Sequence, residues 1–222
     1  MLVYTTSTQA AETRAGLLAA ATRVLHERGL AGFSVRNVAA AAGVSHMGIY
    51  RYFGSIEALG DAVARAGESK LRSAIPGVVT HESPGAAMVT LARVYVDFCR
   101  ENRGLWSLWE DERFRGSVKP VVIGLLELSF DRLCLDDSGR AEPATGADGR
   151  TCPYVLQLAT AVNGFLRLES AGAVDPEDVD RVLVPMLTDI SRRLSGPGVP
   201  APRREGLQSM PQAARSMIRP AT

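Results

Sequence analysis

The sequence predicts an all-α protein, with a head of short helices at the amino end and a body of longer helices behind it. Three observations predict this. Apolar residues recur at i, i+3 and i+4 along most of the chain, the spacing of one helix face. Strand-like alternation is almost absent. Single glycines, several followed by serine, cut the periodic stretches into helix-sized pieces.

Each element follows in order. The first helix is expected over about residues 11–28, with Leu17, Ala21, Val24 and Leu25 on one face and Gly29 to end it. Residues 1–11 read as a flexible amino terminus. Ser34 is a good N-cap for a second, short helix that turns Val35, Val38, Ala39 and Ala42 inward. Gly43 breaks it. Ser45 can cap a third helix carrying Ile49, Tyr50 and Phe53. Gly54 breaks again, and Ser55 caps a fourth with Ile56, Leu59 and Val63 on its apolar face. Longer helices are expected over 86–102, 104–115, 118–135, 154–171 and 176–194. Pro120 is acceptable in a first turn. Asp175 is placed as N-cap before Pro176, and Pro185 should kink the last helix. Residues 136–151, rich in Asp and Gly, read as a loop, and 195–222 as a disordered tail.

Bulk properties narrow the function classes. A length of 222 residues allows one large domain or two modest ones, and 46% hydrophobic residues supply ample core. The net charge of +1 is uninformative, but its distribution is not. Residues 1–72 carry +3, residues 73–191 carry −7, and residues 192–222 carry +5. A mildly basic front on an acidic body fits a head that faces a polyanion. The basic tail reads as a solvated end. Cys99, Cys134 and Cys152 are odd in number and widely spaced, which argues against a disulfide framework or a zinc site and fits reduced thiols. No stretch reaches the ~20 apolar residues a membrane span needs. A cytoplasmic protein without membrane association is the expectation. His26, His46 and His81 are scattered, and no Gly-x-Ser-x-Gly, His-Glu-x-x-His, Walker loop or Gly-x-Gly-x-x-Gly occurs. Neither an enzyme nor a cofactor is therefore expected.

The informative segment is Ser34 to Phe53, SVRNVAAAAG followed by VSHMGIYRYF. Two short helices flank a tight turn at Gly43–Val44, the pattern of a helix-turn-helix. In that unit the first helix braces across the DNA backbone. The second offers its exposed first turn to the major groove, where base edges carry distinguishable donors and acceptors.

Here the pattern becomes specific. Residues 12–64, with LLAAATRVLHERGLAGFSVRNVAAAAGVSHMGIYRYFGSIEALGDAV, resemble the DNA-binding head of the tetracycline-repressor (TetR) family. The glycine after the first helix, the Ser34 start, the Ala-Ala-Gly-Val-Ser turn, the Tyr50–Phe53 run and the Ser55–Leu59 opening match in order. The resemblance implies an amino-terminal three-helix helix-turn-helix head over 12–64 and a helical regulatory and dimerisation body over 65–194. It implies that Ser34 and Arg36 meet phosphate or adjacent base edges. Ser45, His46, Met47 and Gly48 would form the exposed start of the recognition helix. Tyr50 and Tyr52 match phosphate-contacting positions, although Tyr52 reads equally well as partly buried core. Arg51 could reach either phosphate or guanine, and is the best bidentate donor available there. Ile49 and Phe53 read as core. Ile56 departs from the pattern, since the family often has a phosphate-pairing Lys there. Backbone amides at the Ser55 helix start could still hold a phosphate.

Residues 91–115 and 154–172 resemble, more loosely, the regulatory domain of one TetR subgroup, through VYVDFCRENRGLWSLWEDERF and LATAVNGFLRLESAG. Asn163-Gly164 stands where the family often has His-Gly. Tyr95, Phe98, Trp106, Trp109, Phe130 and Asn163 are the candidate ligand-binding residues, because aromatic side chains line apolar pockets and a buried amide needs partners. Filling a helical core is the competing role for each aromatic. Apolar stripes on the last two helices (Leu158, Val162, Phe165, Leu166; Val182, Leu183, Met186, Leu187, Ile190) fit a four-helix dimer interface. The expected partners are thus operator DNA, a second copy and an unidentified small-molecule effector, with repression released by the effector. The alternatives are a ligand-activated regulator and a helical interaction module that binds no operator.

Overall fold

The computed structural model describes residues 3–75, 84–114, 123–124, 151 and 153–195. Every extended element among them is helical: α1 (Val3–Arg28), α2 (Val35–Ala42), α3 (His46–Phe53), α4 (Ile56–Ala74), α5 (Pro84–Glu101), α6 (Arg103–Glu110), α7 (Pro153–Ser170) and α8 (Val184–Ser195). Short 3₁₀ turns at Leu30–Gly32 and Glu112–Phe114 follow α1 and α6, and a π turn at Val179–Leu183 leads into α8. The expected loop over 136–150, the tail beyond 195 and most of the helix expected over 118–135 lie outside the described residues. None of the described helices is long and apolar enough to cross a membrane.

Three expectations change. The first helix begins at Val3, well before residue 11, so the segment read as a flexible terminus is helical. Nothing in residues 3–10 breaks a helix, and Thr13 Oγ1 donates back to the Gln9 carbonyl at 2.8 Å within the same ladder. The helix expected over 176–194 opens as a π turn at Val179–Leu183 that runs directly into α8, with Pro185 the second residue after it. Asp175 opens a turn instead of capping a helix, its N–H donating to Asp178 Oδ2 at 3.0 Å.

The chain forms two compact units. Among the described residues the first comprises 3–70 and 102–114, so the boundary expected after residue 64 moves, and α6 groups with the head. The physical reason is apolar. Leu108 and Phe114 are buried in the same cluster as Leu17, Ala21, Val24, Leu25, Val38, Ile49, Leu59 and Val63, and Leu105 packs against it. Phe33 meets Phe114 edge to face, with centroids 5.7 Å apart. Trp109 donates its indole N–H to the Ala64 carbonyl at 3.1 Å, which ties α6 to α4. After α6, the Arg113 guanidinium grips Asp111 and holds its carboxyl below the usual carboxylate range.

The second unit packs α5, α7 and α8 on one another. Val94, Tyr95 and Phe98 of α5 are buried, as are Leu158, Val162 and Phe165 of α7 and Leu187 of α8. Charged residues of α5 add polar ties to this core. Arg93 pairs with Asp180 of the π turn, and Arg100 pairs with Glu169 near the end of α7.

The head starts with a cap that can be tested. Ser34 lies in extended conformation, and its Oγ accepts the Asn37 N–H at 3.3 Å. Ser34→Ala should lower the head's stability by about 1 kcal/mol, read by chemical denaturation.

Candidate nucleic-acid interface

The α2–α3 pair is held by local chemistry. Gly43 ends α2 at φ 67°, in the left-handed region that disfavours side chains. The Val44 N–H then returns to the Ala39 carbonyl at 3.1 Å, which closes the turn. Asn37 Nδ2 donates to the Gly32 carbonyl at 2.8 Å, and Arg23 of α1 donates to the Ala41 carbonyl at 3.0 Å. Asn37 and Arg23 thus fasten α2 to the rest of the head. Sequence reasoning missed both, because a polar tie to a backbone carbonyl leaves no periodic trace.

Helix α3 divides cleanly by face. At 100° per residue, His46, Tyr50, Met47 and Arg51 span an arc of roughly 140°. All four are exposed. Ile49, on the opposite side, is fully buried, and Phe53 packs against the head core. Arg14 of α1 lies 4.6 Å from the Phe53 ring centroid, a cation capping that edge of the core. Met47 is 70% exposed and Tyr50 47%. Arg36, near the start of α2, is exposed as well, and Ser34 and Gly48 are half-buried. Ser45 is exposed and extended, and its side chain makes no capping hydrogen bond, contrary to expectation. The Gly48 N–H goes to the Ser45 carbonyl at 2.9 Å instead. Tyr52 is half-buried against the head core with the Arg51 guanidinium 5.7 Å from its ring centroid, so it stands apart from the exposed arc.

The next helix begins with a second cap. Gly54, at φ 83°, ends α3, and Ser55 Oγ accepts the Ala58 N–H at 3.0 Å. Ile56 packs against the head core, so no cation stands at this helix start.

The candidate ligand-binding residues fall in both units. Trp106 and Trp109 belong to the head unit, and Trp109 is buried there. The Trp106 Nε1 is buried with no hydrogen-bond partner among the described residues. Tyr95 and Phe98 are core residues of the second unit, at 2% and 0% exposure. Asn163, in the same unit, keeps its Oδ1 buried without a partner among the described residues. Phe130 lies outside the described residues. A groove of about 640 Å³ runs along α7 and α8, lined by Leu156, Thr160, Ala161, Met186 and Ile190 among others, and none of the six candidates lines it. No cluster of potential metal ligands occurs among the described residues.

The short helices α2 and α3, joined by the tight turn at Gly43 and with one face of α3 exposed, define a helix-turn-helix unit. Residues 17–63 match the family described as bacterial regulatory proteins, tetR family. The chain is 34% identical over 96 residues to the nucleoid occlusion factor SlmA of Pasteurella multocida. That match covers 42% of this chain and 48% of the relative's length, so the chain spans about half of it. Two solved structures from Rhodococcus sp. RHA1 share the fold over most of the chain. A protein of unknown function is 26% identical with a TM-score of 0.60, covering 82% of this chain and 94% of the other. A TetR-like transcriptional regulator is 22% identical with a TM-score of 0.54, covering 83% and 96%. The amino-terminal head, over residues 17–63, is thus similar to that of the tetR family of bacterial regulatory proteins.

Proposed function

We propose that this protein is a cytoplasmic transcriptional repressor that binds a palindromic operator as a homodimer and is released by a small-molecule effector. The observation that carries the DNA reading is the exposed arc of His46, Met47, Tyr50 and Arg51 on a helix whose other face is locked into the core. Such a helix can enter a major groove with its side chains free to meet base edges. Arg51 serves as the bidentate base donor. Ser34, Arg36, Ser45, Tyr50 and the backbone amides at the starts of α2 and α4 serve the phosphates. Tyr52 acts as core and steadies Arg51. The absence of a cation at Ile56 lowers the number of phosphate contacts and so the salt dependence.

The dimer reading rests on the second unit. Of the two stripes, Leu158, Val162, Phe165, Leu166, Leu183, Leu187 and Ile190 are buried within the unit itself, whereas Leu156 and Leu168 of α7, Val182 of the π turn and Met186 of α8 are exposed large apolar residues that a second copy would cover. Two heads would then sit about 34–36 Å apart, one turn of duplex. The effector reading rests on the buried acceptor of Asn163, in the unit whose core holds Tyr95 and Phe98. It fits a small, largely apolar molecule with one donor. Release requires that the effector bind the two head spacings unequally.

The test is selection of duplexes from a random pool by the purified chain, followed by a salt titration. An enriched palindrome whose affinity falls steeply with salt is expected. Arg51→Ala should weaken that duplex roughly tenfold to a hundredfold while leaving the dimer intact. No enrichment at low salt from a folded dimer would turn the reading toward an interaction module. An effector screen in which no compound changes operator affinity would remove the ligand-responsive part.

A further inference from the structure

We propose that Met47 is a specificity-determining residue that reads the C5-methyl of a thymine in each half-site. The inference rests on the DNA reading above and names the base chemistry the recognition helix selects.

Met47 is the most exposed of the large apolar residues the structure describes. It sits in the first turn of α3, in the middle of the exposed arc, between the polar ends His46 and Arg51. Its neighbour Gly48 has no side chain to shield it. A Cβ at Gly48 would stand 3.2 Å from the Val44 side chain, a tight contact. The thioether chain is flexible and apolar, carries no donor, and its sulfur is a weak acceptor.

The major groove offers that side chain few good surfaces. Guanine presents two acceptors, cytosine an amino donor, and adenine an acceptor and a donor. An apolar tip pressed against any of these removes water without replacing its hydrogen bond. Thymine alone presents a methyl group. Contact with it buries apolar surface on both partners and leaves no polar group unmet. The polar members of the arc, Tyr50 and Arg51, stand one turn further along and remain available to flanking phosphate and guanine. The same helix face thus divides into an apolar reader and a polar one.

The experiment uses the full-length protein and the duplex selected as above. Each thymine of a half-site is replaced in turn by deoxyuracil, which removes the methyl and leaves the pairing edge unchanged. One position per half-site is expected to lose about fourfold in affinity, and a palindrome changed in both half-sites about fifteenfold, the worth of one buried carbon in each. In Met47→Ala that thymine–uracil difference should vanish, and in Met47→Leu it should persist. Both variants should melt with the unsubstituted protein, since the side chain is largely in solvent, and the sensitivity of the other positions should be unchanged. A duplex bound equally with thymine and uracil at every position overturns the proposal while the DNA reading stands. So does a thymine–uracil difference that survives Met47→Ala. Failure to select any duplex overturns the DNA reading itself, and the Met47 proposal with it.

Discussion

Gly104→Ala is expected to destabilise the head by about 3 kcal/mol, against the usual trend for a helical glycine. Gly104 is the second residue of α6, and a Cβ there would overlap the backbone carbonyl oxygen of Leu25 in the last turn of α1. Neither atom belongs to a flexible side chain, so relief requires one helix to move. Such a movement would open the contact that keeps Leu108 buried beside Leu25. The diagnostic is the sign. Gly16 lies in α1, where an added methyl group would meet nothing within 4 Å. Gly16→Ala should therefore stabilise by about 0.5–1 kcal/mol through helix propensity and a less disordered unfolded chain. Urea denaturation of the two variants side by side checks the claim. If both gain stability, the close approach of α6 to α1 is wrong. Operator affinity adds a second readout, because a displaced α6 loosens the core beneath α3.

Arg100→Met should cost the second unit about 3 kcal/mol. The guanidinium of Arg100 forks onto Glu169, with Nε 2.9 Å and Nη2 2.6 Å from Oε2. Nη2 also donates to the Pro176 carbonyl at 2.8 Å. The Glu169 carboxylate is only 5% exposed, so this pair is largely out of water. Removing the guanidinium takes its forked cation from a carboxylate that is largely out of water, whereas replacing both partners removes charge and desolvation cost together. The double variant Arg100→Met with Glu169→Gln is therefore expected to recover most of the loss. Arg100→Lys should recover little, because one ammonium cannot reproduce the planar fork and the carbonyl bond together. A double-mutant cycle from melting curves measures the coupling. Additive effects of the two single changes would show that the pair contributes nothing as a unit. Arg100 also holds the turn between α7 and the π stretch. The proposed dimer should therefore weaken in the single variant along with the fold.

Much of the head was legible because its signals are local. Ser34 and Ser55 cap helices through their own hydroxyls, Gly43 and Gly54 take positive φ at the breaks, and Ile49 and Leu59 recur at core spacing. Each depends on residues no more than a few positions apart. Ser45 shows the limit of such reasoning. It stands at a helix start with the right chemistry, yet its hydroxyl makes no cap, because a side chain can rotate away without changing the backbone. Tyr52 reads from the sequence equally as phosphate contact or core, and its ring packs half-buried against the head core.

The sequence by itself determined the helical class, the helix-turn-helix, the caps at Ser34 and Ser55 and the faces of α2 and α3, since periodicity and backbone chemistry act within a few residues. Tertiary structure alone decided the rest. It placed α6 with the head and made Trp109 a tie to Ala64. It also joined Arg100 to Glu169 across 69 residues of chain. Those choices depend on which apolar surfaces and charges meet when distant segments pack. Loop closure between them adds only a slowly growing cost with length. Sequence spacing therefore leaves no mark of which distant partner is chosen.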